Sequence, residues 1–224
     1  MNKILSFCYF FVFAFITLTA AAPFNVSFAR GKWDQEQFQF VKSPRFKMNG
    51  AIIQNDDHIV NKVPAGLSEK ELLGSPDAYC ALLTKNKFRG SITISSKMSF
   101  DHLMAPLIVI APELGQSEDG KYPELRDHYE IVLFYQGINI WHHRYKDGKP
   151  SWYKLAYIKA DLKKETVYDL QVTLYHSHKG PQMIVKCDGK EFGCAMPEEF
   201  KATQYYVGLI ACEGVNRFYD FRVQ

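Results

Sequence analysis

Seven consecutive residues, Glu124-Leu125-Arg126-Asp127-His128-Tyr129-Glu130, bring together three carboxylates, an imidazole and a guanidinium. Groups of these kinds give and take protons, neutralise an acid or hold a cation. If the segment runs on as a strand, His128, Glu130, Val132 and Phe134 take one face. Tyr129, Ile131, Leu133 and Tyr135 take the other, because alternate strand residues point to opposite sides. When the second set packs a core, Glu130 and His128 look outward. Cleavage of a glycosidic bond uses two carboxylates about 5 to 9.5 Å apart, so Glu130 is the leading candidate acid or base. Proton abstraction beside a uronate carboxylate instead needs a His or Tyr base and a group that neutralises the acid. His128, Arg126, His143, Arg144 and Tyr145 are of the right types. The plainer alternative is a strand mouth in which Arg126 pairs with its acidic neighbours.

Asn139-Ile140-Trp141-His142-His143-Arg144-Tyr145 carries the second constellation. With Ile138 and Ile140 turned inward, Asn139, Trp141, His143 and Tyr145 share the outward face. An indole stacks on the C–H face of a sugar ring, and Asn and His orient hydroxyls. The next segment adds Trp152, Tyr153, Lys154 and Tyr157 on a neighbouring strand. An aromatic face with a few polar groups suits a saccharide. The candidate ligand-binding residues are therefore Asn139, Trp141, Trp152, Tyr153, Tyr157 and Arg126. Glu130, His128 and His143 are the candidate catalytic groups, and a second packing layer is the competing account of the same aromatics. Adjacent His142 and His143 point opposite ways and cannot share one ion. His176 and His178 do share a face, but at a turn beside Lys179-Gly180-Pro181. There is no Cys-x-x-Cys zinc spacing, no Gly-x-Ser-x-Gly and no phosphate-binding glycine loop, so no cofactor is implied.

The elements that must position these groups are strands. Apolar or alternating runs at 129–135, 138–145, 151–159, 167–176, 182–187, 190–196, 205–212 and 215–223 are separated by turn signals, among them Asp147-Gly148 and Asp188-Gly189. Strands spaced about 8 to 12 residues apart with few helices predict an all-β antiparallel sandwich or barrel. One short helical turn is expected at 68–73, where Ser68 and Glu71 have capping-box spacing. A two-residue turn at Asp188-Gly189 sets Cys187 opposite Lys190, Val185 opposite Phe192 and Met183 opposite Cys194. Cys187 and Cys194 then lie four strand positions apart, beyond the reach of a disulfide. No internal repeat or linker divides the chain.

The N-terminus reads as a secretory signal peptide: Lys3, an apolar stretch from Ile4 to Leu18, then small residues up to Ala22. Cleavage is expected after Ala21, giving a signal peptide at 1–21 and one domain at 22–224, secreted or periplasmic. No later apolar run is long enough to span a membrane. The formal charge of +3 becomes about +2 without Lys3, too mild and scattered for nucleic acid. Asn25-Val26-Ser27 fits the N-glycosylation pattern. Cys80, Cys187, Cys194 and Cys212 remain, and four thiols allow two disulfides in three connectivities or buried free thiols.

Several segments resemble the concanavalin A-like lectin/glucanase sandwiches, including bacterial secreted domains related to 3-keto-disaccharide hydrolases. Phe88-Arg89-Gly90-Ser91-Ile92-Thr93-Ile94 is similar to the strand that opens the sheet in that group. Tyr129-Glu130-Ile131-Val132-Leu133 is similar to its Tyr-Glu-Val-x-Ile strand. Tyr206-Val207-Gly208-Leu209 with Phe218-Tyr219-Asp220-Phe221-Arg222-Val223 resembles its closing pair. The resemblance implies a jelly-roll sandwich in a superfamily of lectins, glucanases, lyases and modules without known chemistry. Its retaining glucanases space their acids as Glu-x-Asp-x-x-Glu or Glu-x-Asp-x-Glu, and Glu124, Asp127 and Glu130 depart from that. Asp220 matches a position that serves a structural calcium ion in the superfamily. The expectation is a secreted, lectin-like domain holding a poly- or oligosaccharide in a concave aromatic groove. The alternatives are a glycoside hydrolase or polysaccharide lyase using Glu130 with His128 or His143, and a non-catalytic structural or protein-interaction domain.

Overall fold

Period-two alternation along long β-branched and aromatic runs folds the chain into two antiparallel sheets packed face to face. The structure is a computed structural model that describes residues 23–45, 50–73, 75–178, 180–196 and 203–224. The expected signal peptide at 1–21 lies outside the described residues.

One sheet, here the site sheet, orders Lys149–Lys159, Gly137–Lys146, His128–Phe134, Met104–Ala111, Gln204–Ala211, Cys80–Thr84 and Phe38–Val41 from edge to edge. The opposite sheet orders Lys190–Ala195, Gly180–Cys187, Tyr168–Ser177, Ile92–Phe100, Asn216–Phe218, Ile59–Asn61 and Ile52–Gln54. Beside Ile92–Phe100 runs Asp220–Val223, which also pairs with Phe24–Ser27. The capping box forms as expected: the Ser68 side chain accepts from the Glu71 N–H and Glu71 reaches back, opening a helix at Glu69–Leu72. No helix among the described residues is long and apolar enough to cross a membrane.

The inner faces meet in one core. Tyr129, Ile131 and Leu133 from one strand and Ile138 and Ile140 from the next are buried against Ile94, Val172 and Phe221 of the opposite sheet. Each fully buried side chain of this size contributes roughly 1.5–3 kcal/mol relative to exposure. Burying these alternate residues fixes which side chains face outward, since a one-residue slip would reverse every side chain in the strand. The outer face of the site sheet is not a plain solvated face, and the second packing layer weighed for its aromatics is present in part. Val109, Leu107, Val132, Leu83 and Tyr79 form a second buried cluster there, with Trp141 packed against it.

Tight turns hold the register. Asp147 and Gly148 both take positive φ (52° and 75°), as do Asp188 and Gly189 (49° and 68°), the pattern of two-residue turns matched to strand twist. The second turn sets Cys187 opposite Lys190 and Met183 opposite Cys194, as its sequence predicts. All four described cysteines are free thiols.

Candidate functional site

The hairpin formed by His128–Phe134 and Gly137–Lys146 builds the site. Its short connection pairs His128 with His143, Glu130 with Trp141 and Val132 with Asn139. Directly opposed residues share a face, so six side chains from two strands stand together on the outer side. On the edge strand, Trp152 lies opposite His143, and Tyr157 lies opposite Asn139. A register shift after Ile140 places Lys154 opposite Trp141, and its ammonium lies 5.2 Å from the Trp141 ring centroid.

Glu130, His143, Asn139, Trp141 and Trp152 line one open cavity of about 220 Å³, with Leu107 and Val132 among its apolar walls. Trp152 is half exposed, at 50 %. It is stacked at 22° to the His143 ring, with the Arg45 guanidinium 4.8 Å from its own centroid. Asn139 is buried, and its Oδ1 atom finds no hydrogen-bond partner among the described residues. An unsatisfied buried amide oxygen costs about 1–3 kcal/mol, so Asn139 carries an open capacity to bind.

Glu130 is the electrostatic centre. Its Oε2 lies 3.0 Å from His143 Nε2 and its Oε1 lies 3.3 Å from His128 Nε2. Burial alone would push the Glu130 carboxyl up. The charge and hydrogen bonds of His143 and His128 outweigh burial and hold it below the ordinary carboxylate range. Burial pushes His143 down, against the pull of Glu130, and its pKa is lowered overall. At neutral pH the ionised Glu130 carboxylate faces both imidazoles, one across each of its oxygens. The His128 tautomer follows from its other nitrogen. Nδ1 lies 2.6 Å from the Arg126 carbonyl oxygen, which can only accept, so Nδ1 carries a proton and donates. The two imidazoles stack at 14° with centroids 4.5 Å apart.

The structure does not bring every expected residue here. Tyr153 pairs with His142 and donates or accepts at His142 Nδ1 over 2.8 Å. His142 stacks on the core residue Tyr129, so Tyr153 belongs to the inward-pointing set and not to the groove face. Arg126 sits beyond His128, paired with Glu124, with its guanidinium 4.2 Å from the Tyr145 ring centroid. It reaches the site only through its backbone carbonyl. Asp127 caps the strand end by accepting from the Tyr145 N–H at 2.6 Å. Asp220 lies in the opposite sheet, where its carboxylate accepts from the Lys97 N–H at 2.7 Å and faces Arg222. It joins none of the other candidates, and the group of described residues with metal-ligand spacing is His128, Glu130 and His143. Sequence reasoning weighed His142 with His143 for a metal and passed over the cross-strand pair. The signal was His128-x-Glu130 on one strand face, with a two-residue connection (Tyr135-Gln136) that brings His143 level with His128.

No family model matches the sequence, and no curated protein matches it. Solved structures do match its fold. A protein of unknown function with a galectin-like fold from Bacillus subtilis aligns at TM-score 0.61 and 10% identity, over 90% of this chain and 94% of that one. Lectin II from Ulex europaeus aligns at TM-score 0.59 and 11% identity, covering 92% and 99%. The carbohydrate binding module CBM66 from Bacillus subtilis aligns at TM-score 0.52 and 10% identity, covering 82% and 92%. The chain has the concanavalin A-like, lectin-type β-sandwich fold. At such identities the likeness speaks for the fold alone.

Proposed function

We propose that this protein is a lectin-like carbohydrate-binding domain that seats a saccharide in the cavity beside Trp141 and Trp152. One observation carries the reading: an aromatic wall meets a buried carboxylate and an unpartnered Asn139 oxygen in one open cavity. A sugar ring offers the complement, an apolar C–H face and hydroxyl donors. The cavity of about 220 Å³ is smaller than the roughly 300–1,000 Å³ of pockets that enclose drug-sized ligands. It suits one sugar unit, with further units running over the exposed Trp152 and Tyr157. The structures it resembles include a lectin described in complex with galactose and a carbohydrate binding module, which supports the same reading.

Export is part of the proposal, with residues 1–21 as the signal peptide and one domain following. Burial pushes the Cys80 and Cys187 thiols up to about 12, leaving little thiolate to oxidise in a disulfide-forming compartment. The test is a glycan panel followed by calorimetry on the best ligand. Trp141→Ala and Asn139→Ala should each weaken binding tenfold or more while the thermal transition stays cooperative. A silent panel, or full affinity in both variants, would overturn the proposal.

A further inference from the structure

His128, Glu130 and His143 are buried and offer ligand atoms that all lie within 4.8 Å of one another. Two imidazole nitrogens and a carboxylate form a donor set suited to zinc and neighbouring first-row divalent metals. Calcium and magnesium favour all-oxygen shells. Orientation points the same way. A histidine that binds metal through one nitrogen usually donates its other N–H to a carbonyl or carboxylate, and His128 does so to the Arg126 carbonyl. That leaves Nε2 as the nitrogen turned toward Glu130, 3.3 Å from its Oε1, so that an ion seated between them would take one ligand atom from each. The spacing also fits: tetrahedral bonds of about 2.0–2.1 Å separate neighbouring ligand atoms by roughly 3.3 Å. The nitrogen–oxygen separations here are of that size, 3.3 Å from His128 to Oε1 and 3.0 Å from His143 to Oε2, so the ion would sit against both carboxylate oxygens or turn the carboxylate toward one of them.

We propose that His128, Glu130 and His143 bind one divalent transition-metal ion of the zinc type, with the open side of its shell toward the Trp141 cavity. The near-parallel rings require one imidazole to turn for both nitrogens to meet the ion. That turn falls to His143, whose described contacts are the Glu130 carboxylate and the flanking rings. Glu130 and His143 both line the cavity, so a hydroxyl or carboxylate seated there can complete the shell. The inference stands apart from the saccharide reading, because the ion needs no sugar to bind.

The experiment is a calorimetric titration of chelator-treated protein with Zn²⁺, with Co²⁺ as an optical probe of coordination. One ion per chain and the visible absorption of four-coordinate cobalt are expected. Glu130→Gln keeps a satisfied network, since its amide N–H donates to His128 and its oxygen accepts from His143. That variant should melt as a cooperative fold yet lose at least tenfold in Zn²⁺ affinity, and Tyr153→Phe should leave the affinity unchanged. Failure of the native chain to take up stoichiometric Zn²⁺, or equal uptake by Glu130→Gln, would overturn the proposal. The trio would then be a buried hydrogen-bonded cluster that holds no ion.

Discussion

At the scale of single residues, neighbours in sequence have opposite duties. His142 and His143 are adjacent, yet one stacks on Tyr129 in the core and the other on Trp152 at the cavity. Tyr153 pairs with His142 although its side chain is partly exposed, so Tyr153→Phe should cost about 1 kcal/mol by removing their part-buried hydrogen bond. Saccharide affinity should be unchanged, and chemical denaturation beside a binding titration would read both. Equal losses in stability and affinity would return Tyr153 to the groove. That Glu130, Trp141 and Asn139 share one face was legible in the sequence, because alternation alone sends them there. Their mutual distances were not. Whether His143 stands level with His128 depends on how many residues the turn consumes, and one more would move it out of reach.

At the scale of elements, long strands announced themselves and short ones did not. The predicted runs at 138–145 and 190–196 correspond to Gly137–Lys146 and Lys190–Ala195, shifted by a residue or so at each end. Ile52–Gln54, Ile59–Asn61 and Leu114–Gln116 hold three residues each, too few to display a period of two. Tertiary pairing makes them strands, since each lies beside a partner that supplies its hydrogen bonds. Gly208 shows what such pairing demands. It lies between Leu83 and Val109 in register, and an added Cβ would stand 2.2 Å from the Leu82 carbonyl oxygen. Gly208→Ala must therefore spread Gln204–Ala211 away from Cys80–Thr84. A loss of about 1–3 kcal/mol is expected from overpacking, measured as a lower denaturation midpoint with unchanged slope. An alanine variant of native stability would mean that the strands are less closely packed than they stand here.

At the scale of the whole molecule, the sandwich is closed by its most distant segments. Phe24–Ser27 pairs with Asp220–Val223, Phe24 opposite Val223. The Phe24 ring meets Phe38, Phe88 and Phe221 edge-on, with centroids 5.7 to 6.2 Å apart. A chain lacking residues 22–27 would leave Phe221 uncovered and one sheet edge unpaired. It should lose about 3 kcal/mol or more, from two apolar side chains at roughly 1.5–3 kcal/mol each. Its melting temperature against the chain beginning at Ala22 checks this. The aromatic composition, 15% of residues, hinted at a dense core, but nothing local in the sequence joins residue 24 to residue 223. That pairing also sets a timetable. During synthesis Phe24–Ser27 leaves the ribosome long before Asp220–Val223 and waits while roughly 200 further residues follow. Contacts of such sequence separation form late and slowly. Until they do, an aromatic strand edge stays open to other chains, so the yield of soluble protein should depend on how well nascent molecules are kept apart.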